Sequence, residues 1–199
     1  MKLKGTAEPG AERRPELSHI ALLVKSADKA AAKLSGLGLV INPAAVFEKG
    51  RVREIYVGSY ETNSALLLLV EPIQKDAYAR TFKKHGYGLH HIAVDMPDLE
   101  GYIDSLYDSG WLLHPWSVDA IKTLNTAYLC RPGTEFIIEA QRNAHGNRPR
   151  LVEKVTLPLS KRSAAMVAAA GLADVLTAAG ERKLYFSNKK SILISELLA

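Results

Sequence analysis

At 199 residues, with 47% hydrophobic and 24% charged side chains, the chain can bury a substantial core, which excludes an intrinsically disordered segment. A net charge of +5 suits an anionic small molecule or plain solubility, and without a clustered basic face it gives no argument for nucleic acid. The single cysteine, Cys130, excludes an internal disulfide; no run of about 18 apolar residues offers a membrane span, and residues 1–15 lack the apolar stretch of a secretory signal, so a cytoplasmic protein is expected.

Residues 1–16 are rich in charge, Gly and Pro and read as a flexible N-terminal arm. Residues 18–25 (SHIALLVK) have the length of a buried strand. Ser26 or Asp28 then caps a helix through SADKAAAKLSGLGL, which ends in glycines. VFEKGRVREIYVGS follows as two short strands around a glycine, with VREIYVG alternating polar and apolar as a half-buried strand does. After the turn YETNS, residues 65–73 (ALLLLVEPI) form a strand closed by Pro72. Alternation in that strand sets Leu66, Leu68 and Val70 toward a cavity and Leu67, Leu69 and Glu71 away from it. The element order over residues 17–75 is β-α-β-β-β.

The order repeats over residues 76–141. A linking helix (DAYARTFKKHG) leads to a strand at 88–96 (GLHHIAVDM) and a helix in PDLEGYIDSLYDSGW, with Pro97 at its start. WLLHPWSV, NTAYLC and EFIIEAQ supply three further strands. SHIALLV and HHIAVDM share a His-Ile-Ala core, and an internal repeat of this kind points to two half-sheets that bury their faces together. Residues 142–199 form a C-terminal extension: a polar linker, then β-α-β-β, with its helix over SKRSAAMVAAAGLADVLTAAG. It reads as a degenerate third module, or as a helix and hairpin that cover an open sheet edge.

His19 and His91 each sit early in an apolar strand. A lone histidine there is usually a core residue, but two in equivalent places of a repeat are brought together when the halves pair. Neutral imidazole is a good ligand for Zn, Fe, Co or Ni. A carboxylate is needed as well, and the closing strands offer Glu71 and Glu139; an ionised carboxylate in so apolar a strand is costly unless paired or coordinating a metal. His90 is turned away from His91 by alternation. His114 precedes Pro115 at a strand end, a structural position close to the cavity mouth. His85 and His145 lie in polar loops. Lys49, Arg51 and Arg53 form a basic group beside Glu48, either phosphate partners or charges that keep a strand edge from pairing. Nothing near Cys130 lowers its pKa, so it reads as structural.

The combination SHIALLV … FEKGRVREIYVG … LLLLVEPI … KKHGYGLHHIAVDMPDLE … FIIEAQ resembles the vicinal-oxygen-chelate (glyoxalase/bleomycin-resistance) superfamily, and within it methylmalonyl-CoA epimerases. The likeness covers residues 17–141, and GLHHIAV is its most specific element. It implies an α+β fold in which two βαβββ modules pair into an incompletely closed, eight-stranded, barrel-like sheet. It implies one divalent metal ion (Co, Zn, Mn, Ni or Fe) on His19, His91 and Glu139, with Glu135 the fallback for Glu139. Glu48 matches the glutamate that moves the proton beside the thioester, which makes it the expected catalytic residue. The implied substrate is a small carbonyl compound, a CoA ester among the candidates, and a homodimer is one implied assembly.

One position departs from the pattern. Epimerase-like members usually carry Gln or Glu four residues before the proline that ends the fourth strand, and Leu68 stands there. Two histidines and one carboxylate with open positions is the facial arrangement of non-haem Fe(II) oxygenases. The leading expectation is a metal-dependent isomerase or epimerase. Beside it stand an Fe(II)-dependent dioxygenase, a glyoxalase-type lyase and a non-catalytic small-molecule binding protein.

Overall fold

The computed structural model describes residues 15–47, 51–73, 86–131, 134–143 and 148–198. The first module comprises β1 (Glu16–Leu23), α1 (Ala27–Gly36), β2 (Ala45–Phe47), β3 (Val52–Val57) and β4 (Leu66–Pro72). Helix α1 begins where the Ser26 hydroxyl accepts from Lys29 N. Its buried residues, Ala27, Ala30, Ala31 and Leu34, recur with helical period and make one apolar stripe.

The second module comprises β5 (Gly88–Met96), α2 (Leu99–Ser105), β6 (Leu112–Leu113), α3 (Ser117–Leu124), β7 (Thr126–Cys130) and β8 (Ile137–Arg142). Two expectations are corrected. The cap of α2 is Asp98, whose carboxylate accepts from Gly101 N, so Pro97 precedes the cap and does not open the helix. The segment WLLHPWSV supplies only a two-residue strand, and the chain turns at Pro115 into α3. That helix stops at Asn125, which adopts a left-handed conformation (φ 52°) that asparagine tolerates better than most residues. The expected linking helix over 76–86 falls almost wholly outside the described residues.

The eight strands form one open sheet in the order β2-β3-β4-β1-β5-β8-β7-β6. Within each module the first strand lies parallel to the last, β1 to β4 and β5 to β8. The modules join through the antiparallel pair β1/β5, so the sheet has a pseudo-twofold axis at its centre. One face, the core face, carries Ile20, Leu22, Leu67, Leu69, Ile92, Val94 and Ile138, packed continuously with the helices and the extension. Burying each such side chain contributes about 1.5–3 kcal/mol. The opposite face holds a small apolar cluster of Ala21, Leu23, Val52, Leu68 and Val70, with Tyr56 and Tyr87 beside it.

The extension comprises β9 (Val152–Leu157), α4 (Lys161–Ala169), β10 (Leu176–Ala178), β11 (Lys183–Phe186), β12 (Ser191–Leu193) and α5 (Ile194–Leu197). The long alanine-rich helix expected there ends at Ala169, ahead of Gly171 at φ 73°, and a short strand parallel to β9 takes over its last residues. SILISELL likewise divides into a three-residue strand and one helical turn. The four strands order as β10-β9-β11-β12, so the first strand lies parallel to the second, unlike the arrangement in either module. Tyr102 Oη and Trp111 Nε1 donate to Ala170 O and Met166 O, tying the extension to the second module.

Gly58 marks where the extension meets the first module. Its φ is +103°, and a Cβ there would stand 2.6 Å from Leu66 Cδ2 and 2.7 Å from Leu151 Cδ2. Gly58→Ala combines a left-handed alanine with an overpacked contact and is expected to cost about 2–4 kcal/mol. Urea unfolding measures it, and an unchanged midpoint would show that the two leucines give way freely.

Candidate metal centre at the module junction

The pairing of β1 with β5 sets the repeated tripeptide against itself. His19 faces Ala93, Ile20 faces Ile92, and Ala21 faces His91. Both isoleucines are fully buried on the core face, so the histidines and alanines turn to the other, here called the site face. Each histidine stands opposite a side chain too small to fill the space. The two imidazoles therefore meet across the diagonal, Nε2 to Nε2 at 3.0 Å, with their rings at 77°.

Strict alternation alone would not put them there. Leu17 and Leu89 are core residues, and one step of period two from either would bury its neighbouring histidine in the core. The register shifts once in each strand, leaving Ser18 and His90 as extra residues just before His19 and His91. These bulges re-aim both histidines. The second bulge also overturns the expectation that His90 turns away, since its Nδ1 lies 2.9 Å from His91 Nδ1. An ion held at Nε2 of His91 would leave the ring proton on Nδ1, where His90 Nδ1 stands within hydrogen-bond distance to accept it.

The next strand completes the group. Ala93 pairs with Glu139 on β8, and Glu139 Oε2 lies 3.2 Å from His91 Nε2. Glu139 Oε1 is held by Gln141 Nε2 at 3.1 Å and by Tyr128 Oη at 3.4 Å. His19, His91 and Glu139 each present one donor atom, all within 4.8 Å of one another. Bonds of about 2.0–2.2 Å to a common ion put neighbouring donors about 3 Å apart at right angles and about 3.4 Å apart at the tetrahedral angle. The observed 3.0 and 3.2 Å match that spacing, and two imidazoles with a carboxylate suit Zn, Fe, Co or Ni.

The pseudo-twofold explains Leu68. Ala93 lies between His19 and Glu139; its counterpart Ala21 lies between His91 and Leu68. Leu68 thus stands where symmetry would put a second carboxylate, and its own cross-strand partner, Tyr56, is the counterpart of Tyr128. Strand β4 pairs with both neighbours without a register shift, so no bulge returns Glu71 to this face. Glu71 Oε2 accepts from Ala27 N at the start of α1, with Arg53 3.8 Å away. Glu135 is not a substitute ligand, because it pairs with Arg182 of the extension at 2.7 Å.

Other candidates fall elsewhere. His114 accepts from Trp116 N at 3.2 Å and packs edge-on against that ring, a turn-forming role. Arg53 is bound to Asp28, and Cys130 is half-buried with its thiol pKa pushed up by burial. Glu48, Lys49, His85 and His145 lie outside the described residues. Glu54 is the residue that the sequence reading passed over. It lies between Val52 and Tyr56 on the site face, and burial together with the Glu139 charge holds its carboxyl above the usual range. The alternation of VREIYV carried that signal, since core residues Ile55 and Val57 fix Glu54 on the other side.

Burial dominates the electrostatics. It lowers His19 to about 3, assisted by His91 and opposed by Glu139, and it lowers His90 to about 4. His91 is held well below its ordinary value by burial, then by His90. At neutral pH all three are uncharged, the form that binds metal. In the unfolded chain they take protons near 6.5, so below that pH the unfolded state binds more protons. Stability is therefore expected to fall as pH drops from about 6.5 toward about 4, by up to about 1.4 kcal/mol per pH unit for each histidine. Urea unfolding of metal-free protein at about pH 7.5 and about pH 5 tests the sign; equal stability would mean that the imidazoles are hydrated in the folded state.

Residues 18–123 match the family model of the Glyoxalase/Bleomycin resistance protein/Dioxygenase superfamily. No curated protein matches the chain significantly. Similar solved structures include a hypothetical protein of Bacillus halodurans, 20% identical, with a TM-score of 0.48 over 67% of this chain and 99% of that one. Methylmalonyl-CoA epimerase from Mycobacterium tuberculosis is 19% identical, with a TM-score of 0.48 over 65% of this chain and 89% of that one. A variant of Streptomyces coelicolor methylmalonyl-CoA epimerase, in complex with 2-nitronate-propionyl-CoA, is 17% identical, with a TM-score of 0.46 over 65% and 99%. The family match spans more than half of the chain and takes in the first module, both histidines and the junction that joins them: the chain belongs to the glyoxalase/bleomycin resistance protein/dioxygenase superfamily.

Proposed function

We propose that the protein is a metal-dependent isomerase or epimerase that moves a proton at the carbon beside a carbonyl, in an acyl thioester or a related small compound. The observation that carries this reading is the convergence of His19, His91 and Glu139 on one point at ligand spacing. A divalent cation held there supplies a Lewis acid, which withdraws charge from a carbonyl oxygen and acidifies the neighbouring C–H. His19 and His91 would hold it as neutral bases. Gln141 and Tyr128 keep Glu139 turned so that Oε2 faces the histidines. Proton transfer is assigned to Glu48 on the resemblance of FEKGRV, and Glu54 is the described carboxyl on the site face that competes for the same duty. A carboxyl whose pKa is raised both accepts and returns a proton more readily near neutral pH, which an epimerase needs.

A second reading rests on Leu68. With an apolar side chain at the counterpart of Glu139, two histidines and one carboxylate leave several positions open, the arrangement of Fe(II) oxygenases. Metal analysis of protein purified without chelator separates the two: iron with oxygen-dependent turnover favours the dioxygenase, and cobalt, zinc, manganese or nickel favours proton chemistry.

Two substitutions test the leading reading. His91→Ala is expected to abolish most metal binding in a calorimetric titration while the far-UV spectrum is retained, and undiminished affinity would sink the assignment. Glu48→Gln is expected to keep metal binding but slow exchange of the α-proton of a branched acyl-CoA with deuterated water, by about a hundredfold or more. Wild-type exchange in Glu48→Gln with loss in Glu54→Gln would transfer the role to Glu54.

A further inference from the structure

A cavity of about 240 Å³ opens beside His19. The first module lines it with Ser18, His19, Tyr56 and Tyr60, the second with Gln141, and the segment leading into the extension with Arg148. We infer that this cavity recognises an anionic group of the substrate, and that Arg148 is the residue that binds it. The inference rests on the metal-site reading above and adds the substrate class: a small acid, or an acid ester, whose oxyanion sits on a guanidinium while its reacting carbon lies at the histidines.

Three observations carry it. The first is charge. Among the described residues that line the cavity, Arg148 brings a permanent positive charge, and there is no carboxylate. The other polar groups are hydroxyls and amides, which suit an oxyanion's remaining lone pairs. The second is placement. The chain at 148–152 is fastened to the first module by backbone bonds: Ser64 N donates to Pro149 O at 3.0 Å, Leu151 N to Ser64 O at 2.8 Å, and Val152 N to Ala65 O at 3.1 Å. Ser64 Oγ donates to Arg148 O at 2.9 Å, and the Arg148 guanidinium also bonds Tyr60 O. An arginine anchored at both backbone and head loses little further freedom on binding, which favours recognition over mere solvation.

The third observation is continuity with the candidate metal centre. His19 lines the cavity, and so does Gln141, whose amide holds Glu139. An occupant therefore touches a candidate ligand and the group that orients another. Size limits that occupant. At about 30 Å³ per water-sized volume the space holds roughly eight, enough for a small acid or the acyl end of a larger ester. On this account the extension supplies the charged group that selects the substrate, and the two modules supply the chemistry.

Calorimetry with defined probes tests this on the full-length protein. Malonate, inorganic phosphate and the neutral analogue malonamide are titrated into wild type, Arg148→Lys and Arg148→Met, each with and without zinc. Malonate is expected to bind wild type in both metal states, with malonamide much weaker. Arg148→Met should weaken malonate by about ten- to a hundredfold, the worth of a charge-assisted hydrogen bond, and Arg148→Lys by less. Zinc affinity should not change in either variant. Phosphate binding as tightly as malonate would assign the pocket to phosphorylated acids. Equal malonate affinity in wild type and Arg148→Met, equal affinity for malonamide, or no binding of either anion to wild type would each overturn the inference. Failure of zinc to bind wild type would instead remove the metal reading, and the metal-free titrations would still judge Arg148.

Discussion

The constraint on which this molecule depends is the antiparallel pairing of one tripeptide with its own repeat. His19-Ile20-Ala21 against Ala93-Ile92-His91 does two jobs through a single register. The isoleucines lock the modules together on the core face, and the alanines leave room for the histidines to converge on the other. A slip by one residue would exchange the faces, putting imidazoles in the core and isoleucines in the cavity. The hydrophobic effect thus fixes the geometry of a polar site, because the register that best buries Ile20 and Ile92 is the one that brings two Nε2 atoms to 3.0 Å.

Much of this was legible in the sequence, and the losses have physical causes. The repeat was visible because His-Ile-Ala recurs within matching element orders, whereas the parallel pairing of first and last strand inside each module leaves no local pattern to read. The placement of Leu68 and Glu71 followed from alternation because β4 runs without a bulge. His90 was misjudged for the converse reason: a bulge leaves no trace in polar–apolar order when both residues at the bulge are histidines. The short helix α3 was hidden behind an apolar WLLHPW run, although Asn125 marked its end. The alanine-rich stretch in the extension shows tertiary context overriding propensity, since pairing with β9 draws Leu176–Ala178 into a strand.

Concentrating ionisable groups on the site face has a thermodynamic consequence. Two imidazoles are buried and a third, His90, is half-buried, all in their neutral form, and Glu54 and Glu139 face the same space with like charge. Without a cation this arrangement is a set of desolvated groups satisfied mostly by one another, His19 through His91 and His91 through Glu139 and His90. Such networks rarely raise stability above that of an apolar equivalent. A divalent cation held there would reverse the sign of the local field, relieving the carboxylate repulsion and using the lone pairs that burial keeps unprotonated.

The pseudo-twofold also shows how the site acquires direction. A symmetric pair of modules would present two histidines, two carboxylates and two tyrosines, equivalent on either side of the junction. Here one side carries Glu139 with Gln141 and Tyr128, and the other carries Leu68 with Val70 and Tyr56. The candidate ligands are thus weighted toward the second module, and an apolar wall faces them from the first. The bulge residues differ in the same sense: His90 buttresses a candidate ligand from behind, whereas Ser18 opens onto the cavity that holds Arg148. Breaking the symmetry at these positions separates a half that carries the carboxylate of the candidate centre from a half that opens onto the cavity.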